Sequence, residues 1–332
     1  MSRLAQAVIL VLAGLSISAA PRPRYDYYLT GNPADVTGAT TSFGLGLMGG
    51  GTDVDALFTW MSARAGGGDF VVIRASGADG YNQYVFDFGG FDSVETLVLP
   101  TRAVSSDPFV LQIILNAEAL FIAGGDQSDY VNNWKGTPIE DAIHTLAARG
   151  IPIAGTSAGT AILGDLLYSA QRQSVTSPQA LADPYNRNIT LDRDFLLLPF
   201  MAGLITDQHF VERDRMGRTL TFMARLLTDG WVEQARAIAI DRETAVLVGA
   251  DGHATIVANP GHATPYAYFL QGGTPSVVAP KTPLTYLDVQ VLKADPASTF
   301  DLASWSGSGL TAYQLDVDAG VVTSTQTGGA IY

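Results

Sequence analysis

The chain has 332 residues, 47% hydrophobic and 15% charged, enough to bury a large core, so general disorder is excluded. Its 32 acidic against 19 basic residues give a net charge of −13, which disfavours nucleic acid as a partner because phosphate is repelled. There is no cysteine, and thiol nucleophiles, disulfides, thiolate metal sites and Cys-linked lipids are therefore ruled out.

In chain order, Arg3 precedes Leu4 to Ile17, a run that is apolar apart from Gln6 and Ser16, and Ser18-Ala19-Ala20 offers small residues for cleavage. This is the pattern of an export signal over residues 1–20. The run falls short of the roughly 20 apolar residues of a membrane span. A secreted or periplasmic mature chain is expected, with no membrane association after cleavage. Residues 21–42, rich in Pro, Gly, Thr and Tyr, read as an extended lead-in.

From there the pattern alternates. Gly44 to Met48 is a strand running into the turn Gly49-Gly50-Gly51, and Asp53 to Ala65 has helical spacing at Val54, Leu57, Phe58 and Met61. Strands follow at 70–73, 96–99 and 119–123, the last ending in Gly124-Gly125. A helix opens at Thr137-Pro138-Ile139-Glu140, with an expected capping box between Thr137 and Glu140. Its inner stripe is Ile139, Ala142, Ile143, Leu146 and Ala147, Gly150 ends it, and Ile151 to Ala154 forms the next strand. Thr160 to Leu167 is expected to be helical. So is 212–228, with Met216, Leu220, Met223 and Leu227 on one stripe and Arg215, Arg218 and Arg225 roughly opposite. Strands at 237–240 and 245–248 precede a β-rich tail from about residue 259.

The expected fold class is α/β: a predominantly parallel sheet with helices on both faces and a strand-to-helix nucleophile elbow, plus a β-rich C-terminal extension. The expected division is a signal over 1–20, a lead-in over 21–42, a catalytic domain over 43–258 and its extension over 259–332.

Gly155-Thr156-Ser157-Ala158-Gly159 is that elbow. Glycines on both sides of Ser157 clear a tight strand-to-helix corner, which exposes the hydroxyl where a helix begins. The Ala158 backbone N–H would receive a developing oxyanion. A base is needed, and the chain has four histidines. His144 falls beside the buried stripe of its helix and reads as structural. His253 and His262 fall in glycine-rich turns and read as solvent-facing. His209, in Thr206-Asp207-Gln208-His209-Phe210, stands at an expected strand end on the elbow's side of a sheet and is the favoured base.

Gly124-Gly125-Asp126-Gln127, the elbow, and Asp207-Gln208-His209-Phe210 followed by Arg213, Arg215 and Arg218 together resemble the signature blocks of the cyanophycinases. Those enzymes belong to a serine-peptidase family that includes dipeptidase E, with a fold similar to class I glutamine amidotransferases. The resemblance spans roughly residues 43 to 250. It implies hydrolysis of cyanophycin, a poly-aspartate whose side chains carry arginine, to β-aspartyl-arginine dipeptides through a Ser157 acyl-enzyme, with no cofactor and no metal. Gly125 would supply the second oxyanion N–H beside that of Ala158. Gln127, Asp207, Gln208, Arg213, Arg215 and Arg218 match the family's substrate-pocket positions.

One position departs from the pattern. The family's triad acid is the Glu of an Ile-Asp-Glu-x-Thr-Ala segment, and this chain reads Ile240-Asp241-Arg242-Glu243-Thr244-Ala245, with a cation at that place. Glu243, or else Asp241, is the expected replacement. Two other readings stay open at this point. One is a secreted esterase of the α/β-hydrolase type, which would need His253 or His262 as base; the other is a non-catalytic binding protein with a degraded triad. A homodimer is also left open.

Overall fold

Short strands buried along nearly their whole length are expected of a sheet covered on both faces, and five of them lie side by side in the core of the computed structural model, which describes residues 25–332. The expected export signal and the first residues of the lead-in fall outside the described residues.

The five strands are, in spatial order, Ser93–Val98, Phe70–Arg74, Ala119–Ile122, Ile153–Thr156 and Gly44–Met48, and every neighbouring pair is parallel. Because side chains alternate across a strand, the run Phe70-Val71-Val72-Ile73 serves two cores at once. Val71 and Ile73 pack with Val110, Ile114, Ile139 and Ile143 of the helices Pro108–Asn116 and Pro138–Ala148. Phe70 and Val72 pack with Leu57, Phe58 and Met61 of Asp55–Ala65. Antiparallel strands extend this parallel centre on both sides: Asp26–Gly31 beyond Ser93–Val98, and Thr244–Gly249, His253–Ala258, Thr299–Asp301 and Ser306–Ser308 beyond Gly44–Met48.

A second sheet is built around Leu204–Asp207, which pairs in parallel with both Arg236–Ile240 and Leu166–Tyr168. Ala267–Gln271, Thr285–Ala294, Thr311–Asp318 and Val321–Ser324 continue it in antiparallel fashion. Its Ala237, Ala239 and Tyr268 pack with Leu220, Phe222 and Met223 of the helix Met216–Thr228. Residues 259–332 thus join both sheets.

Two local expectations need correction. The helix expected over 160–167 is one turn, Ala158–Ala161, followed by the strand Leu166–Tyr168. Gly164 and Asp165 break the helical run, and Leu166 pairs with Ile205 to start the second sheet. The Thr137 hydroxyl donates to the Trp134 carbonyl at 2.5 Å, and Glu140 accepts from the Gly136 N–H, so no capping box closes. The strands Arg236–Ile240 and Thr244–Gly249 belong to different sheets, and the corner between them carries the chain across.

Candidate active site

Ser157 sits where Ile153–Thr156 turns into Ala158–Ala161, with φ +51° and ψ −116°, a backbone state that a non-glycine residue adopts only when its surroundings impose it. Both flanking glycines are required by space. A Cβ on Gly155 would lie 2.6 Å from the Gly159 carbonyl carbon, and one on Gly159 would lie 2.0 Å from the Ile122 carbonyl oxygen. The Ser157 N–H donates to the Met48 carbonyl at 3.1 Å, which ties the corner to the neighbouring strand.

His209 follows Leu204–Asp207, so the elbow and the imidazole come from two different sheets rather than from one. They meet because the loop after Gly44–Met48 bridges them. The His209 N–H donates to the Gly49 carbonyl at 2.9 Å, and a Cβ on Gly50 would strike the imidazole Nε2 at 2.4 Å. With that space open, Ser157 Oγ lies 3.0 Å from His209 Nε2.

The other ring nitrogen faces a carboxylate. His209 Nδ1 is 2.9 Å from Glu212 Oε2, one turn further along the chain. This replaces the expected pairing with Glu243 or Asp241. Glu243 is ion-paired with Arg242, and its other oxygen lies 3.8 Å from His262 Nδ1. Asp241 is buried and accepts from the N–H groups of Val211 and Glu212 at 3.1 and 3.4 Å, so it fixes the turn that carries Glu212. The Glu243 N–H in turn donates to the Gly50 carbonyl at 2.7 Å. Both candidates therefore shape the site through the backbone. The physical reason is the left-handed φ of +49° at His209, which curls the chain back so that a carboxylate three residues on meets its own imidazole.

Burial pushes the His209 pKa below the ordinary imidazole value, and the hydrogen bond His209 donates to Glu212 only partly offsets it. Glu212 is held below the usual carboxylate range chiefly by that hydrogen bond; burial opposes it, and the charges of His209, Arg213 and Arg242 each lower it by less. At neutral pH the pair is a neutral imidazole beside a carboxylate. Its Nδ1 then carries the proton and Nε2 is the acceptor facing Ser157.

On the opposite side of the serine, Tyr130 donates to the carbonyls of Ala123 and Gly124 at 2.8 and 3.1 Å and fixes the Gly124-Gly125 loop against the elbow. The Ala158 N–H is the first of its helix and has no partner within it. A cleft of about 230 Å³ opens between Gly125, Asp126 and Gln127 on one wall and Arg172, Arg213, Arg215 and Arg218 on the other. Gln127 donates to the Tyr168 carbonyl at 3.3 Å.

Asp207 and Gln208 were expected in the pocket, and both are buried behind its wall. Asp207 takes a two-point contact from Arg218, with Arg215 at 3.4 Å and the Thr219 hydroxyl at 2.8 Å. Burial alone would raise its pKa, but the charge and hydrogen bonds of Arg218 outweigh this and hold it below the usual range. Gln208 donates to the Thr206 hydroxyl at 3.0 Å, while its carbonyl accepts from Arg215 at 2.5 Å. Burial brings the Arg215 pKa down to about 10, still charged at neutral pH. Arg218 is almost fully buried, so the stripe of arginines expected on an outer helix face is instead partly an internal one. Neither Arg172 nor Arg213 has an ion-pair partner among the described residues. Arg172 was missed because its segment, Gln171-Arg172-Gln173-Ser174, carries no motif or periodicity. Glu212 stands three residues after His209 in the sequence, the one local signal that could have pointed to it.

Of the remaining histidines, His144 accepts from the Leu197 N–H at 3.0 Å, as a structural residue, and His253 is exposed beside Asp251 at 3.3 Å. His262 was expected to face solvent, yet it is largely enclosed between Asp241 and Glu243, each 3.8 Å away. Among the described residues no cluster of His, Asp and Glu has the arrangement of a metal site.

Known proteins resemble this arrangement at several levels. The chain is 27% identical over 169 residues to the cyanophycinase of Trichormus variabilis, covering 51% of each chain. It is 24% identical over 174 residues to that of Geminocystis herdmanii, covering 52% of this chain and 58% of the relative. The chain thus spans about half the length of the curated relatives it matches. The crystal structure of a peptidase from an acI-B1 actinobacterium superposes with a TM-score of 0.53 at 15% identity, covering 79% of this chain and 98% of that one, and supports the mixed α/β fold. Residues 80–250 match the model of peptidase family S51, a stretch that contains Ser157, His209, Glu212 and all four cleft arginines. The chain belongs to peptidase family S51.

Proposed function

We propose that this chain is an exported serine peptidase that hydrolyses cyanophycin to β-aspartyl-arginine dipeptides. The observation that carries the reading is the chain of contacts from Ser157 Oγ through His209 to Glu212, and an arginine-lined cleft whose lining includes Gly125 and Arg213 accompanies it. Ser157 Oγ attacks the scissile carbonyl carbon while its proton passes to His209 Nε2. Glu212 keeps the imidazole in the tautomer that accepts there and stabilises the imidazolium that results. The N–H groups of Ala158 and Gly125 receive the oxyanion. His209 then gives its proton to the leaving amine, an ester to Ser157 remains, and water attacks that ester with His209 again acting as base.

The substrate assignment is supported by the name of the relatives and by the chemistry of the cleft. Each arginine unit of the polymer ends in a free carboxylate, which guanidinium forks bind in two-point fashion. Asp126 and Gln127 on the facing wall offer oxygens to the polymer's own guanidinium groups. Export rests on the signal pattern of residues 1–20.

Purified protein lacking residues 1–20 would be treated with a fluorophosphonate probe and, separately, with insoluble cyanophycin. Labelling at Ser157, abolished by Ser157→Ala and His209→Ala, together with clearing of turbidity and release of dipeptide by mass spectrometry, is the expected outcome. Labelling without dipeptide would remove the polymer as substrate, and failure of folded protein to label would favour a binding role. N-terminal sequencing of protein recovered outside the cytoplasm should begin at Pro21.

A further inference from the structure

The helix Met216–Thr228 bears Arg218 and is preceded by the turn Arg213-Asp214-Arg215, yet no side chain of its own first turn caps it. The partner of the Met216 N–H comes from the far end of the chain. Tyr332 Oη accepts from that N–H at 3.0 Å and donates to Asp214 Oδ1 at 2.8 Å. Asp214 itself has a left-handed φ of +49°, a conformation that aspartate tolerates better than most residues. The ring of Tyr332 packs edge-on against Phe210, 5.6 Å between centroids, and against Tyr268 at 6.2 Å. Its own segment is pinned, since Tyr313 donates to the Ile331 carbonyl at 3.1 Å and Gln326 to the Ala330 carbonyl at 2.8 Å. Tyr332 lies outside the stretch that matches family S51.

We propose that Tyr332 is a positioning residue for the substrate cleft: its hydroxyl bridges Asp214 and the Met216 N–H and so presents Arg213 and Arg215 to a substrate carboxylate. Residues 259–332 then act as more than extra sheet, because the last of them reaches the turn between His209 and the arginine helix. The hydroxyl touches no arginine. It acts by fixing the backbone on both sides of Arg215, whose guanidinium must meet Asp207, the Gln208 carbonyl and the cleft at once.

The test pairs Tyr332→Phe, which keeps the ring and its packing, with Asp214→Gly, an exposed substitution that removes the acceptor oxygen and is at ease in left-handed backbone. The first readout is the rate at which phenylglyoxal modifies Arg215, followed by peptide mass spectrometry, and it needs no enzymatic activity. Both variants should raise that rate about tenfold, the order expected for loss of a hydrogen bond to a charged group. The double variant should be no faster than either single one. The second readout rests on the peptidase reading: the KM for a peptide with a free carboxylate should rise about tenfold, while kcat and fluorophosphonate labelling of Ser157 stay within about twofold of wild type. Unchanged Arg215 reactivity in both variants overturns the proposal. So does a fall in labelling that tracks a lowered melting temperature, since that marks general loosening. If wild type labels at Ser157 but cleaves no peptide, the substrate reading fails while the arginine reactivity still decides the role of Tyr332. Should Tyr332→Phe misfold, Asp214→Gly decides it alone.

Discussion

Replacing Glu212 tests the site where the spacing of residues and the geometry disagree. Its carboxylate lies 2.9 Å from His209 Nδ1, a hydrogen bond to a charged group and worth about 1.5 to 3 kcal/mol in comparable settings. At about 1.4 kcal/mol per tenfold in rate, its loss corresponds to roughly 10- to 150-fold. The side chain is 35% exposed, so water can take over part of the interaction, and the lower half of that range is expected for Glu212→Ala. A fully buried triad acid would cost on the order of 10⁴-fold. Glu212→Gln should fall in the same direction. It should also move the acid limb of the pH profile lower, because the Glu212 hydrogen bond raises the His209 pKa against the effect of burial. Glu243→Gln, whose carboxylate pairs with Arg242, should stay within about threefold of wild type, since surface ion pairs contribute little. The assay is kcat/KM on a soluble β-aspartyl-arginine substrate, read beside the rate of fluorophosphonate labelling and the melting temperature of each variant. Wild-type rates in Glu212→Ala, with a large loss in Glu243→Gln, would refute the reasoning and restore the acid expected from the family pattern.

Other outcomes follow from the same geometry. The rate should be level at neutral pH and decline only as pH drops below the ordinary imidazole value of about 6.5, because burial depresses the His209 pKa and protonation removes the acceptor; labelling rate against pH measures this. Arg218→Ala leaves Asp207 buried without its two-point partner and should destabilise the fold by about 3 to 5 kcal/mol, visible as a large fall in melting temperature. Gly50→Ala should cut Ser157 labelling by about 100-fold, the scale of a misplacement near 1 Å, because the added methyl meets the imidazole at 2.4 Å and the backbone φ is +93°; near wild-type labelling would show that the imidazole is not confined there.

Much of the parallel centre was legible in the sequence, since strands such as Phe70–Arg74 and helices such as Pro138–Ala148 carry their periodicity locally. The Gly-x-Ser-x-Gly elbow was legible for the same reason: two glycines remove the atoms that would block a sharp corner, and that is a property of five consecutive residues. His209 and the arginines after it could be singled out by type and spacing. Their partners could not. The second sheet, the burial of Asp207 and Gln208, and the arrival of Arg172 in the cleft depend on how loops from two sheets converge, which no local pattern encodes.

The choice of acid shows the division most clearly. The sequence by itself offered carboxylates at 241 and 243 and determined that a cation stands between them. Only the tertiary structure decided that Asp241 would be spent on backbone N–H groups, that Glu243 would pair with Arg242, and that Glu212 would meet the imidazole. The reason is steric: a positive φ at His209 reverses the chain within three residues, and that conformation is held by the Gly49 carbonyl from a loop more than a hundred residues away in sequence.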